Sequence, residues 1–581
     1  MLKLLKKMQK REIIMACICI IFVLGQIYFD LTLPDFMSDL TVLIQTGGAM
    51  SEILNTGLKM LGCVIVSAVL SIACGYLAAR CASGFTYTVR EKLFNHVVDL
   101  SQEEMNRFSV PSLITRTTND ITQIQMLIAM GLQMLIKAPI MAVWAVMKIL
   151  GKSWELSVVT GVFVVVIIAS VFAIICAVVP RVRIVQRLTD KINRIARENL
   201  TGINVVHAFN AEDYQNEKFD ETNTQMMKTQ LFNQRCFAAM QPIMMIGMNG
   251  LSLAIYWVGA ALLSGTAIAG RLTLFSDIVV FSTYATYVVM SFMMLIMIFM
   301  MYPAAQVSAE RIGKVFDAQA SIKEGNISEK NEKGTLEFRN VSFRYPDAAE
   351  NDLEDINFKV NRGETLAIIG ATGSGKTTLV SLIARFYDAT DGEILVDDVN
   401  IKEYSFDTLY NILGYVTQKA VLFSGSIEDN VAFGEMKTDY SSDGVDRAIQ
   451  LAQASEFVEK LEDGKKHNIA QGGKNVSGGQ KQRISIARAL ARKPEILVFD
   501  DSFSALDYRT DAALRTGLEE NLGDTTRIIV AQIISTIRHA DKILVLEDGK
   551  IVGNGKHEEL MDSCEVYREI AMSQLSESEL K

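Results

Sequence analysis

Two stretches of the chain set reactive side chains at spacings that chemistry uses. The first is GATGSGKTT, which begins at Gly370 after the apolar run LAIIG and fits G-x-x-x-x-G-K-[ST] over Gly370–Thr377. Gly373 and Gly375 let backbone N–H groups turn inward onto phosphate oxygens. Lys376 neutralises the outer phosphates, Thr377 offers a hydroxyl to Mg²⁺, and the helix that must follow adds its dipole. The second stretch, ILVFDDSFSALD over 496–507, is an apolar run ending on Asp500 and Asp501. A buried strand ending in one acid holds Mg²⁺ beside a nucleotide, and Asp500 takes that part. The second acid leaves two readings open: a working base, or the mark of a site that binds nucleotide and hydrolyses it badly.

These residues need a strand, a tight turn and a helix to hold them. LAIIG supplies the strand, and the Lys-Thr-Thr run starts the helix. Strand-like LEFRNVSFRY precedes them, and Tyr345 at its end stands where an aromatic ring could stack on a purine; beside Pro346, a lone Tyr is more often a turn residue. We therefore expect an α/β P-loop NTPase cassette with a helical subdomain over 335–581. Residues 317–334, DAQASIKEGNISEKNEKG, are polar and poor in large apolar residues, and are read as a linker.

The first half of the chain is of another kind. Of 581 residues, 50% are hydrophobic, and mean hydropathy is +0.23 although 21% are charged. Six segments near 13–33, 57–80, 129–150, 155–179, 238–263 and 274–301 are apolar over the ~20 residues a membrane helix needs. MLKLLKKMQKR carries five basic residues and no acid ahead of a long apolar run without a small-x-small site, so it is read as an uncleaved first span. Residues 34–56 hold Asp35, Asp39 and Glu52 but no Lys or Arg, whereas 81–128 and 180–237 are rich in Arg and Lys. That asymmetry puts both ends of the chain in the cytoplasm. Residues 1–316 are expected to be an α-helical membrane domain with six transmembrane helices, lipid around it, and helix extensions reaching into the cytoplasm around polar turns near Phe108–Asp120 and Asn199–Asn210. Short outer turns join the third to the fourth span and the fifth to the sixth.

Lys137 is expected to snorkel to the interface. The Met290, Met293, Met294, Met297, Met300 and Met301 face reads first as packing, and as a soft lining for varied apolar ligands if it borders a cavity. The net charge of −9 and the absence of a basic stripe exclude a nucleic-acid partner. The eight cysteines are scattered at no metal or redox spacing and imply no disulfide framework.

VSGGQKQRISIARAL at 476–490 then joins the set. Tyr345, GATGSGKTT, Gln418 in YVTQ, SGGQ at 477–480, ILVFDD and SALD follow one another in an order that resembles ATP-binding cassette proteins. FSVPSLITRTTNDI, ENLTGINVVHAFNAEDY and VSAERIGKVFD look like the coupling-helix regions and the span-to-cassette junction of ABC exporters, so the chain is similar to an exporter half-transporter over nearly its whole length.

The resemblance implies that Tyr345 stacks on adenine, and that Gly370, Thr372, Gly373, Ser374, Gly375, Lys376, Thr377 and Thr378 wrap the phosphates of ATP. It implies that Gln418 contacts Mg²⁺ and the membrane coupling helices, that Asp500 holds the metal through water, and that Ser477, Gly478, Gly479 and Gln480 serve the ATP of a second cassette. A homologous partner chain is therefore required.

Two family positions depart from the pattern. Asp501 stands where the water-polarising Glu is usual, and Gln532, in VAQIISTIRHAD, replaces the switch histidine. His539 lies seven residues too late to substitute, and the stretch before the signature reads AQGGKN. A carboxylate one methylene short sits ~1 Å or more from its water, a misplacement that costs ~10²-fold. Glutamine binds phosphate but does not titrate. The expectation is ATP-driven export of hydrophobic or amphipathic compounds across a plasma (inner) membrane by a heterodimer resembling bacterial multidrug exporters. In it, this chain's own site hydrolyses slowly. A lipid or peptide exporter, and an ATP-gated regulatory or channel-like subunit, are the competing readings.

Overall fold

The computed structural model describes residues 2–150, 154–265, 268–329, 333–434 and 442–574. It divides into two compact units, Met1–Val98 with Ser109–Ala318, and Asp99–Phe108 with Gln319–Lys581. The short turns expected after the third and fifth spans fall partly outside the described residues.

Six long helices build the first unit: Lys10–Gln45, Met50–Val98, Ile121–Leu150, Trp154–Thr201, Glu212–Gly265 and Ile268–Asp317. Each contains a window apolar enough to cross a membrane, and at most 28% of any window is buried inside the protein. Helices hydrophobic on most sides yet so little covered fit a hydrocarbon solvent rather than water. At 49 residues the second helix is ~70 Å long, more than twice the ~30 Å hydrocarbon thickness. The first, second, third and sixth helices pack together, and the fourth packs on the fifth. Val23, Ile27, Leu31, Ala145, Phe281, Tyr284 and Val288 lie in the shared core. The turn Arg116–Asp120 is tied to the end of the sixth helix, where Asp120 accepts from the Ser308 hydroxyl at 2.9 Å and pairs with Arg311 at 3.4 Å. Lys137, expected to snorkel, has a partner within the helices. Its ammonium lies 3.1 Å from Asp30 of the first helix, a counter-ion near enough to remove the reason for snorkelling.

The second unit is built on two sheets. One has six strands in the order Lys550–Gly555, Lys542–Glu547, Thr365–Gly370, Thr526–Val530, Ile496–Asp500 and Leu413–Val416, parallel except at the Lys550–Gly555 edge. Ile496–Asp500 and Thr526–Val530 are buried at every residue, as central parallel strands covered on both faces must be. The other sheet is antiparallel, in the order Leu353–Val360, Leu336–Phe343, Asp391–Val396, Val399–Asn400.

Two segments behave differently from their sequence reading. Residues 99–108 fall within the 1–316 membrane domain by sequence, but they group with the second unit. Helix Gln102–Phe108 brings the Asn106 amide to the Tyr387 hydroxyl at 3.1 Å, and the Ser101 and Ser321 hydroxyls meet at 2.8 Å. Of the 317–334 segment, read as a linker, residues 319–329 group with the second unit and are pinned along it. Ile327 bridges Tyr404, the Gly325 N–H donates to the Tyr404 carbonyl at 3.0 Å, and buried Arg385 donates to the Lys323 carbonyl at 2.6 Å. Its anchors are backbone groups, which composition does not reveal.

Candidate nucleotide site

Sheet register gathers the site. Ile368 pairs with Val530, Val530 with Asp500, and Val416 with Phe499. The loop after Gly370, the acids at 500 and 501, Gln532 and Gln418 therefore leave the sheet at one end, the carboxyl ends of parallel strands where α/β folds bind ligands.

The glycine loop is built for anions. Gly373 and Gly375 take φ of +88° and +94°, conformations closed to most L side chains. A Cβ at 375 would meet Leu353 at 2.7 Å, while one at 373 would find nothing within 4 Å, so that side of the loop opens on a cradle. Helix Lys376–Ile383 follows. The Lys376 ammonium donates to the carbonyls of Gly370 at 2.8 Å and Ala371 at 2.7 Å, curled onto its own loop. Burial pushes its pKa down, and the charges of Asp501 and Asp500 pull it back up. Loop N–H groups, this ammonium and the hydroxyls of Ser374, Thr377 and Thr378 suit a polyphosphate.

Asp500 is buried, with the Thr377 hydroxyl 3.4 Å from one oxygen and the Tyr415 hydroxyl 3.3 Å from the other. Burial raises its pKa and the neighbouring Asp501 charge adds to the rise, against Tyr415, Thr377 and Lys376. Asp501 sits at φ +46° and is buried. Its Oδ2 accepts from the Gln532 amide at 2.7 Å and from the Gln418 amide at 3.1 Å. Tyr345 joins its hydroxyl to that of Thr378 at 3.1 Å, with its ring edge-on to Phe343 and Tyr387.

SGGQ stands apart from these contacts. Ser477 caps helix Gly478–Ala491 in a reciprocal box with Gln480, and among the described residues Ser477–Gln480 make no hydrogen bond to the glycine loop. Three further residues belong to the site and escaped the sequence reading. Tyr415 opens the same YVTQ that supplies Gln418, so its signal was present. Gln574 is remote in sequence; it donates to the Gln532 carbonyl and accepts from the Ile534 N–H, both at 2.8 Å. Tyr387 packs against Tyr345 and carries no local motif.

Comparisons with known proteins identify both halves of the chain. The family model described as "ABC transporter" matches residues 353–504, and that described as "ABC transporter transmembrane region" matches 13–292. An uncharacterised ABC transporter ATP-binding protein of Mycobacterium tuberculosis is 38% identical over 91% of this chain and 90% of its own. One from Bacillus subtilis is 36% identical over 89% of each. The ATP-dependent lipid A-core flippase of Escherichia coli is 28% identical over 90% of this chain and 88% of its own. A solved bacterial Atm1-family ABC exporter with ATP bound shares the fold, with a TM-score of 0.79 and 24% identity, covering 98% of this chain and 99% of that one. With its membrane half and its ATPase half matched separately and relatives aligned over about nine-tenths of its length, the chain belongs to the ABC transporter family.

Proposed function

We propose that this chain is one half of an ATP-driven exporter. It works in the plasma membrane with both termini cytoplasmic, pairs with a different half-transporter, and moves hydrophobic or amphipathic compounds outward. Its own glycine loop and acidic strand form a site that holds ATP and hydrolyses it slowly. The observation that carries the last point is the Gln532 amide on Asp501 Oδ2, at 2.7 Å. A general base needs a lone pair aimed at its water, and this shortened carboxylate already spends one oxygen on the side chain in the switch position, a contact that does not depend on Gln418.

Binding groups are kept. Lys376 and the loop N–H groups hold phosphates, Tyr345 stacks on adenine, and Thr377, Gln418 and Asp500 hold Mg²⁺, a hard ion suited to oxygen ligands. For Gln418 to serve the metal it must give up its bond to Asp501. SGGQ, lying outside the chain's own loop contacts, serves the partner's ATP. The 28% identity to a lipid A-core flippase favours a lipid as the second reading of the substrate.

Photolabelling with azido-ATP during steady turnover tests the assignment. Label on this chain should stay as uncleaved ATP while the partner's site turns over many times. A homodimer of this chain with full, transport-coupled ATPase activity would overturn it.

A further inference from the structure

The cassette holds an open cavity of about 510 Å³ away from the nucleotide site. The six-stranded sheet contributes Ala367 and Ile529 to its lining, and helix Tyr508–Asn521 and residues 535–540 supply the rest of its sides. That volume falls within the roughly 300–1,000 Å³ of small-molecule sites. Arg527, also in the lining, pairs in register with Thr365. Both stand at the amino ends of their strands. The glycine loop leaves the other end at Gly370, roughly 16 Å on at ~3.3 Å per residue.

Arg527 is buried without being satisfied. It is 8% exposed, and its Nε and Nη1 have no hydrogen-bond partner. Among the described residues its one hydrogen bond runs from Nη2 to the Gly363 carbonyl at 3.3 Å, and no carboxylate pairs with it. A charge buried alone is costly, and buried cations are ordinarily matched by an anion.

The remaining charges do not supply that anion. Arg515 is spent on Asp511, at 3.1 Å from Nε and 2.8 Å from Nη2, and on the Ser535 and Thr536 carbonyls through Nη1. It ties one side of the cavity to the other. Arg538 is exposed and gives its Nε–H to His539 Nε2 at 3.0 Å. That leaves the Arg538 Nη groups, and the Nδ1–H of a neutral His539, as donors. The one carboxylate in the lining is exposed Glu519, and among the described residues it pairs with none of the three arginines. The lining hydroxyls donate or accept equally well and favour neither sign. Two unmatched guanidiniums, one of them buried, therefore face a single solvated acid.

We infer that this cavity binds a small molecule bearing an oxyanion, a phosphate or a carboxylate, with Arg527 as the buried anchor and Arg538 and His539 as donors nearer the surface. The inference concerns a second ligand and does not depend on the export reading. The rival is an arginine satisfied by water alone, which predicts no response to anions.

The test uses the full transporter, isolated through a tag on this chain and placed in phosphatidylcholine nanodiscs without nucleotide. Inorganic phosphate and malonate are the anions, and malonamide is the neutral counterpart of malonate. Hydrogen exchange over residues 535–540 reads occupancy. Saturating phosphate or malonate should slow it at least threefold, and malonamide should leave it unchanged. R527M, which keeps an unbranched side chain but no charge, should weaken the anion at least tenfold. R538Q, an exposed change that leaves the fold intact if R527M does not, should weaken it at least threefold.

A response to phosphate alone would make the native ligand a phosphate, and one to malonate alone a carboxylate; either supports the site. Exchange unmoved by both anions, or slowed as much by malonamide, overturns it. So does slowing that survives R527M and R538Q but disappears in K376A, because the anion would then sit on the glycine loop.

Discussion

Asp501 is gripped by two amides, and each grip has its own consequence. Lengthening the side chain alone leaves Gln532 in the switch position, so D501E should raise hydrolysis at this chain's site by no more than about threefold. Q532H alone returns a titrating imidazole but keeps the carboxylate short. Together they should restore the ~10²-fold that a misplacement of ~1 Å costs. Single-turnover hydrolysis with label on this chain reads all three; a full recovery from D501E alone would show that Gln532 is not part of the defect. Residue-scale chemistry was the most legible layer, because loop, acid and signature motifs are local in sequence. Neither amide contact on Asp501 was readable, since 418, 501 and 532 meet only through strand register.

Elements act on the site from behind. The last described helix, Glu565–Gln574, reaches the loop after Thr526–Val530 through Gln574, whose amide oxygen accepts the Ile534 N–H. Q574A should speed hydrogen exchange at Ile534 at least about fivefold, the equivalent of the ~1 kcal/mol that one hydrogen bond contributes, with ATP affinity unchanged. Unaltered exchange would mean the loop is held elsewhere. The helix before it carries a pH term. Burial, with repulsion from Arg538, pushes His557 below its usual 6.5, and the ring meets the Tyr567 hydroxyl at 2.7 Å. The folded form favours neutral imidazole and the unfolded chain protonates first. This contribution is thus complete above about pH 6.5 and is lost as pH falls from there through the lower folded value. H557Q should flatten the drop in Tm between pH 7.5 and 5.5.

The 319–329 stretch gives the third case. Arg385, 2% exposed, donates to the carbonyls of Lys323 and Ile401 and pairs with Asp388, so R385M strands buried acceptors at a cost of ~1–3 kcal/mol. Limited proteolysis should then cut within 319–329 well before the rest of the cassette. Composition alone called this stretch a linker because glycine, lysine and glutamate say nothing about where backbone carbonyls dock.

At the scale of the whole molecule, six spans and one cassette were readable because apolar runs of ~20 residues and an ordered motif set survive without any long-range information. The Lys137–Asp30 pair and the docking of 99–108 were not, since each joins residues that only folding brings together. The proposed unequal treatment of binding and hydrolysis groups also belongs to this scale, because on that reading SGGQ serves a second cassette. An ATP held at 100 times its Kd stabilises whatever state binds it by ~2.7 kcal/mol. On the proposed asymmetric reading, a slow site would therefore keep the two cassettes associated while the other site cycles. Purification from native membranes through a tag on this chain should recover a second half-transporter in equal amount, carrying Glu and His where this chain has Asp501 and Gln532. Rapid desalting should leave one ATP per pair. Recovery of this chain with itself alone, or nucleotide released equally from both sites, would remove the asymmetric cycle and leave Asp501 an ordinary, shortened base.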